Sequence, residues 1–298
     1  MKTIPKIILP VLISTLFACN QQANKNELPS LNKIETIDYR EIYKQSLKSG
    51  MKIFPLVFDK SIGNKRLIFI GISHSNDNDT LNPMFDTIEK YFRILKPGIA
   101  LNEGGQIPDS LHYPTKNKAI SSEAEIGFLK YLADSLSIKL VNGDCPDSIE
   151  VPALLKKYDK DVLLYFLVTQ RFIPQFITSN NNIGEEYGKF VNEYLIRRCK
   201  LPLQDRETQW MYFRNLYKKY NNNEEIDLEH FHLSKTEYYF YDEGIMGQIG
   251  RSSLLIRDSI IVTNIYNNLK KHNKVFVVFG GAHLLSIKPT LDRIFEKH

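Results

Sequence analysis

Leu67-Ile68-Phe69-Ile70 running into Gly71-Ile72-Ser73-His74, and Val275-Phe276-Val277-Val278-Phe279 running into Gly280-Gly281-Ala282-His283, decide how this chain is read. Unbroken apolar runs of this length mark strands buried on both faces of a sheet. A glycine at the strand exit frees the backbone to turn, which sets each histidine at the C-terminal rim of the sheet. In open α/β sheets that rim is where ligands bind. With 15 glycines and 7 histidines in 298 residues, chance supplies about 0.35 Gly-x-x-His tetrapeptides. Two of them, each directly behind a strand-type run, point to a site.

Outward from these runs the chain alternates strand and helix. Lys52 to Phe58 and Lys65 to Ile70 flank the turn-like Ser61-Ile62-Gly63-Asn64, the pattern of a hairpin. Behind His74, Phe85, Ile88, Phe92 and Leu95 fall on one face of a helix. Pro97-Gly98 punctuates, and Ile99-Ala100-Leu101-Asn102-Glu103 reads as a strand closed by Gly104-Gly105. A helix from about residue 123 to 136 and a strand Lys139-Leu140-Val141 lead into Asn142-Gly143-Asp144. This rhythm predicts an α/β fold with a mixed, largely parallel sheet flanked by helices. Residues 151–250 are mostly helical in pattern and rich in aromatics, which predicts a helical insertion capping the sheet. A long helix from Ser252 to about Lys271 then feeds the last strand.

The N-terminus has its own logic. Lys2 and Lys6 precede an apolar stretch ending in Leu16-Phe17-Ala18-Cys19, which resembles a bacterial lipoprotein signal. That reading removes residues 1–18, acylates Cys19, makes 19–36 a polar flexible tether and leaves 37–298 as one domain. It places the protein on the bacterial cell envelope, at the outer membrane or facing the periplasm, with the membrane reached through lipid. The formal charge of +5 falls to about +3 without the two leader lysines, too small and scattered an excess to argue for nucleic acid. Cys145 and Cys199 are too far apart in sequence to define a disulfide framework, and their pairing stays open.

Chemistry gathers at the strand ends. Glu103 closes its strand as the two histidines close theirs, and a carboxylate there is costly unless paired, hydrogen-bonded or on a metal. His74, His283 and Glu103 make a workable donor set for a divalent transition metal with an open position for water; manganese, cobalt and zinc all suit it. Such a metal lowers the pKa of its water. Asp144 occupies the rim after the next strand, where it reads equally as a spare general base or as part of a plain turn. Arg257 shares a helix face with Leu254, Ile261 and Ile265. Two roles are open to it: steadying an oxyanion or orienting Glu103 or Asp258, and a structural ion pair with Asp258 or a sheet carboxylate.

Together these residues resemble the TraB/PrgY/GumN and Tiki superfamily. Gly71-Ile72-Ser73-His74 is similar to its first motif and Glu103 to its strand-end glutamate. Arg257-Asp258 is similar to its Arg-Asn or Arg-Asp step, and Gly280-Gly281-Ala282-His283 to its closing Gly-x-x-His, over roughly residues 66 to 285. The resemblance implies an α/β fold shared with erythromycin-esterase-like hydrolases and a haem-binding lipoprotein. In the Tiki branch it implies a metal-dependent protease using the two histidines and the glutamate. The expectation is therefore a lipid-anchored hydrolase of peptides or small esters. A metal-independent esterase-like hydrolase, with His74 activating water, and a lipoprotein that binds haem or another small ligand are its rivals. The chain departs from some branches in lacking their transmembrane helices.

Overall fold

A computed structural model describes residues 28–49, 54–74, 78–176, 182–229, 231 and 243–296; the leader and Cys19 lie outside the described residues. The two apolar runs are strands of one sheet. β1 (Leu56–Ile62) and β2 (Lys65–Ile72) form the expected hairpin across Gly63-Asn64, with Gly63 at the positive φ of 54° that its turn requires. β3 (Ile99–Asn102), β4 (Leu140–Asn142) and β5 (Lys274–Gly280) complete it in the order β1-β2-β5-β3-β4. Only β1 runs antiparallel; β2, β5, β3 and β4 are parallel neighbours. Their C-terminal ends line up, Ile72 beside Gly280 and Asn102 between Val278 and Asn142. The fold is α/β, as the alternation of elements predicts.

Because alternate strand residues face opposite ways, the runs supply two cores at once. Leu67, Phe69, Leu101, Val275, Val277 and Phe279 face one way and pack with Ile261, Ile265, Leu284 and Leu291. Ile68, Ile70, Ala100, Phe276 and Val278 face the other and pack with Phe85, Ile88, Phe92 and Phe128. Each of these side chains other than that of Ala100 is worth about 1.5–3 kcal/mol when fully buried.

The helices open with α1 (Tyr39–Ser49), which the sequence reading had passed over, and α2 (Met84–Leu95), which buries all four of its predicted apolar positions. α3 (Lys116–Ser135) starts seven residues before the predicted helix, capped by Thr115, and breaks inside at Glu123-Ala124, where Ala124 takes φ 48° and ψ −133°. The cap follows as α4 (Asp147–Leu155), α5 (Lys160–Leu167), α6 (Ile173–Phe176), α7 (Ile183–Lys189) and α8 (Trp210–Tyr220). Two π-helical segments interrupt it, Val168–Phe172 and Phe190–Arg198, and a 3-10 turn, Asp205–Thr208, precedes α8. The cap has an apolar core of its own, from Val151 to Ile249. α9 (Ile245–Lys271) joins the two bodies, giving Ile249 to the cap core and Ile261, Val262, Ile265 and Leu269 to the sheet core. α10 (Gly281–Ile294) closes the described chain.

Two expectations are corrected. The tether does not extend to residue 36, because Leu28, Leu31 and Ile34 pack on the sheet core. Glu35 exchanges hydrogen bonds with Thr290 (N–H to Oγ1 2.6 Å, Oγ1–H to O 2.7 Å) and pairs with Arg293 at 3.0 Å, strapping the segment to α10. Nor do the glycines of the two motifs serve as turns. Neither Gly71 nor Gly280 has positive φ, and Gly71 lies so close to α10 that a Cβ there would stand 2.9 Å from the Gly281 Cα. Close approach, rather than backbone freedom, is what the first motif needs from its glycine. Among the described residues no helix is long and apolar enough to cross a membrane.

Candidate active site at the strand ends

Four parallel strands deliver four groups to one rim: β2 carries His74, β3 Glu103, β4 Asp144 and β5 the turn into α10 with His283. Behind Glu103 the chain turns away at once through Gly104 (φ 86°) and Gly105 (φ 129°), and the Asn102 amide clamps that turn by donating to the Glu103 and Gly105 carbonyls at 2.9 and 2.7 Å. The Glu103 carboxylate thereby reaches β5, where Oε2 accepts from the Gly280 N–H at 2.7 Å.

Both histidines meet Glu103 through Nε2, His74 at 3.6 Å from Oε2 and His283 at 3.5 Å from Oε1. Each imidazole also has a carboxylate on its other nitrogen. His283 Nδ1 lies 2.6 Å from Asp258 on α9, while Glu125 stands 3.5 Å from His74 Nδ1. Gly280 is the floor of this convergence: a Cβ on it would meet His74 Nε2 at 3.2 Å, Glu103 Oε2 at 3.3 Å and His283 Cδ2 at 3.7 Å. The His283 and Asp258 side chains are almost wholly buried, whereas the His74 side chain is 49% exposed, so the site opens to solvent on the His74 side.

Arg257 lies on the apolar face of α9 as its spacing predicts, with Leu254, Ile261 and Ile265 all buried. Its guanidinium grips Asp144 with two hydrogen bonds (Nε to Oδ1 2.9 Å, Nη2 to Oδ2 2.6 Å) and donates to Glu103 Oε1 at 2.7 Å. It clamps two strand-end carboxylates, a geometry common to the orienting role and to the structural ion pair with a sheet carboxylate. Asp144 is less suited to be a free base, since both its oxygens accept from Arg257 and Oδ1 accepts as well from the Cys145 N–H at 2.7 Å.

The charges follow from these contacts. Burial acts to raise the Glu103 carboxyl, but hydrogen bonds from His283 and His74 and the charges of His283 and Arg257 hold it well below the usual carboxylate range. Burial acts to lower the Arg257 guanidinium, and Asp144 with Glu103 overcomes it and keeps the group cationic. His283 likewise loses to burial and gains more from Asp258 and Glu103, which lift it to about 9. Cys145 is no nucleophile: burial, Glu150 and Asp144 push its thiol up to about 12. Cys145 and Cys199 are both buried and unpaired.

Two partners of the site escaped the sequence reading. Tyr39 on α1 is buried, and its hydroxyl donates to Asp258 at 3.0 and 3.1 Å and stands 3.0 Å from His283 Nδ1. Burial and the Asp258 charge hold its phenol well above 10, so it remains a donor. Glu125 sits one residue beyond the break in α3, where a strained Ala124 turns the helix toward His74. The neighbour of Arg257 was the one available signal for Asp258; nothing in the local pattern marks Tyr39 or Glu125.

The donor types at the rim are those that divalent transition metals take. Two imidazole Nε2 atoms face one carboxylate, each imidazole is backed by a second carboxylate in the manner of metal-bound histidines, and Glu103, Glu125, Asp144 and Asp258 outnumber the local cations. The 3.5 and 3.6 Å separations compare with about 3.3 Å between ligand atoms of a tetrahedral zinc. The arrangement is nonetheless looser than a closed site, because the histidines face different oxygens of Glu103, and among the described residues no group of three is already set to grip an ion. Comparison with protein-family models, curated proteins and solved structures finds no match to this chain.

Proposed function

We propose that the strand-end cluster hydrolyses an ester or amide carbonyl and that it uses a divalent transition metal, manganese, cobalt or zinc, held by His74, His283 and Glu103. The observation that carries this reading is the convergence of two carboxylate-backed imidazoles, through Nε2, on Glu103 above Gly280. The ion would supply a Lewis acid and a more acidic bound water. The chain supplies the rest. Asp258 and Tyr39 fix the His283 ring; Arg257 and the Gly280 N–H fix the Glu103 carboxylate; His74, on the open side, faces the incoming substrate. Such preorganisation is where enzymes gain most of their rate. The resemblance of the four motifs to the Tiki branch agrees with this assignment, and the leader's likeness to a lipoprotein signal would put the substrate, a peptide or small ester, at the cell envelope.

Elemental analysis of protein purified without chelator, with hydrolysis of p-nitrophenyl esters and a peptide library before and after EDTA, tests the proposal. The expected result is one metal per chain and loss of activity restored by adding the ion. Absence of stoichiometric metal with full activity in EDTA overturns the metal. That outcome would favour a second reading, which the lifted His283 supports: an imidazolium held by Asp258, with His74 as the base toward water. A haem-binding role draws less support, since both Nε2 atoms face Glu103 and His283 is buried.

A further inference from the structure

The cap surface carries a half-open pocket of about 590 Å³ that none of this chemistry uses, within the range of small-molecule sites. Its apolar wall is an aromatic ladder. Phe172 stacks on Phe176 at 5.4 Å, Phe190 stacks on Tyr194 at 5.1 Å, and Phe172 meets Phe190 at 5.2 Å. Arg171 and Arg198 lie over the Tyr194 ring at 5.7 and 5.4 Å.

The backbone singles out the same place. Both π-helical segments of the chain's described part, Val168–Phe172 and Phe190–Arg198, contribute to this wall. A π turn packs its hydrogen bonds less well than an α turn and persists mainly where function holds it. The two segments meet at one hollow, whose rings also pack on the apolar core of the cap.

The polar lining is rich in guanidinium donors. Arg171 is balanced by Asp147 at 2.6 Å and Glu150 at 3.4 Å, yet those two carboxylates lie outside the lining. Arg198 gives only its Nε to Asp147, at 2.8 Å, and its side chain is mostly exposed. With Lys189 the wall presents three cations to two carboxylates, Glu186 and Glu193, and Asp147 and Glu150 behind the guanidinium groups make the local count three to four, so what the wall offers is directed N–H donors rather than net charge. Guanidinium groups beside aromatic faces suit a flat anion, which can stack and form charge-assisted hydrogen bonds together.

We propose that this pocket is a binding site for a planar aromatic anion, a fused-ring molecule with one acidic group, independent of whatever the strand-end site hydrolyses. The probe is 8-anilinonaphthalene-1-sulfonate titrated into the folded full-length chain. Its fluorescence should saturate at one molecule per chain with a dissociation constant on the order of 10 μM. Emission of Trp210, the chain's one tryptophan, 6.3 Å from Phe172, should change in parallel. Arg198→Glu should weaken binding roughly tenfold, the loss of one charge-assisted contact. Gln175→Trp, which fills the hollow from an exposed position without deleting packing, should weaken it at least as much. Glu103→Gln should leave it unchanged. Saturable binding indifferent to both cap substitutions, or unsaturable binding, would overturn the site; equal affinity for uncharged N-phenyl-1-naphthylamine would overturn the anion.

Discussion

Replacing Gly280 with alanine separates the chemistry of the site from the stability of the sheet. The backbone there has φ −52° and ψ 133°, a conformation any L-residue adopts, so the exchange is free of strain and gains about 0.4–1 kcal/mol from the unfolded chain. The added methyl would stand 3.2 Å from His74 Nε2 and 3.3 Å from Glu103 Oε2, inside ordinary contact, so those groups must give by a few tenths of an ångström. The two terms oppose each other and are similar in size, and the melting temperature should move by no more than about 2–4 °C, the equivalent of 1 kcal/mol in a chain of this length. Function should not survive as well. The methyl occupies the point where the three groups converge, and since misplacement by about 1 Å costs roughly 100-fold, a shift of a few tenths should cost about tenfold. Calorimetry, a cobalt titration followed by visible absorption and p-nitrophenyl ester hydrolysis together make the assay. Gly71→Ala is the control. Its methyl would collide with backbone, 2.9 Å from the Gly281 Cα, and should cost about 1–3 kcal/mol through overpacking. A folded Gly280→Ala protein that kept metal affinity and hydrolysis within about threefold would refute the placement of the reaction above Gly280.

Asp258→Ala strands His283 beside a buried hole and should destabilise the chain by about 3–5 kcal/mol, whereas Tyr39→Phe removes one neutral donor and should cost about 1 kcal/mol, both read by urea unfolding. Arg257→Lys keeps the charge and loses the two-pronged grip on Asp144, so hydrolysis should fall by about tenfold or more while far-UV circular dichroism stays unchanged. In the cap, buried Glu207 accepts from Lys160 at 2.7 Å and from the Gln204 N–H at 2.5 Å; burial opposes its charge, but these bonds hold its carboxyl below 4.5. A carboxyl lowered on folding stabilises above its unfolded pKa and stops doing so as pH falls through the folded one. Trp210 fluorescence should therefore report cap loosening on acidification below about pH 4.5, shifted in Glu207→Gln, and an identical acid transition in both proteins would contradict the assignment.

What the sequence could reveal depended on how local the cause was. Leu67 to Ile70 and Val275 to Phe279 announce buried parallel strands because burial on both faces demands continuous apolar residues. Glu103 and Arg257 stood out because a charge at a strand exit or on an apolar helix face is costly anywhere. Tyr39 could not be singled out: it looks like any tyrosine in a polar stretch until α1 brings it to Asp258, 219 positions away. Glu125 depends on a break in α3 that no residue of Ser121-Ser122-Glu123-Ala124 advertises. The reason for the motif glycines was misread because close approach between β2 and α10 is a tertiary fact. The strap from Leu28 to Glu35 failed for a related cause, since its few apolar residues matter only against the surface of α10.

The uninterrupted run of α9 through both apolar clusters has a mechanical consequence. One rod, with Ile249 in the cap and Ile261 to Leu269 under the sheet, carries Arg257 and Asp258 between its two anchorages. Loosening the cap would release one of the two anchorages of the helix that holds Glu103 through Arg257 and His283 through Asp258. The sheet-side anchorage begins one turn beyond Arg257, so a loosened cap would free the rod on one side of the rim only.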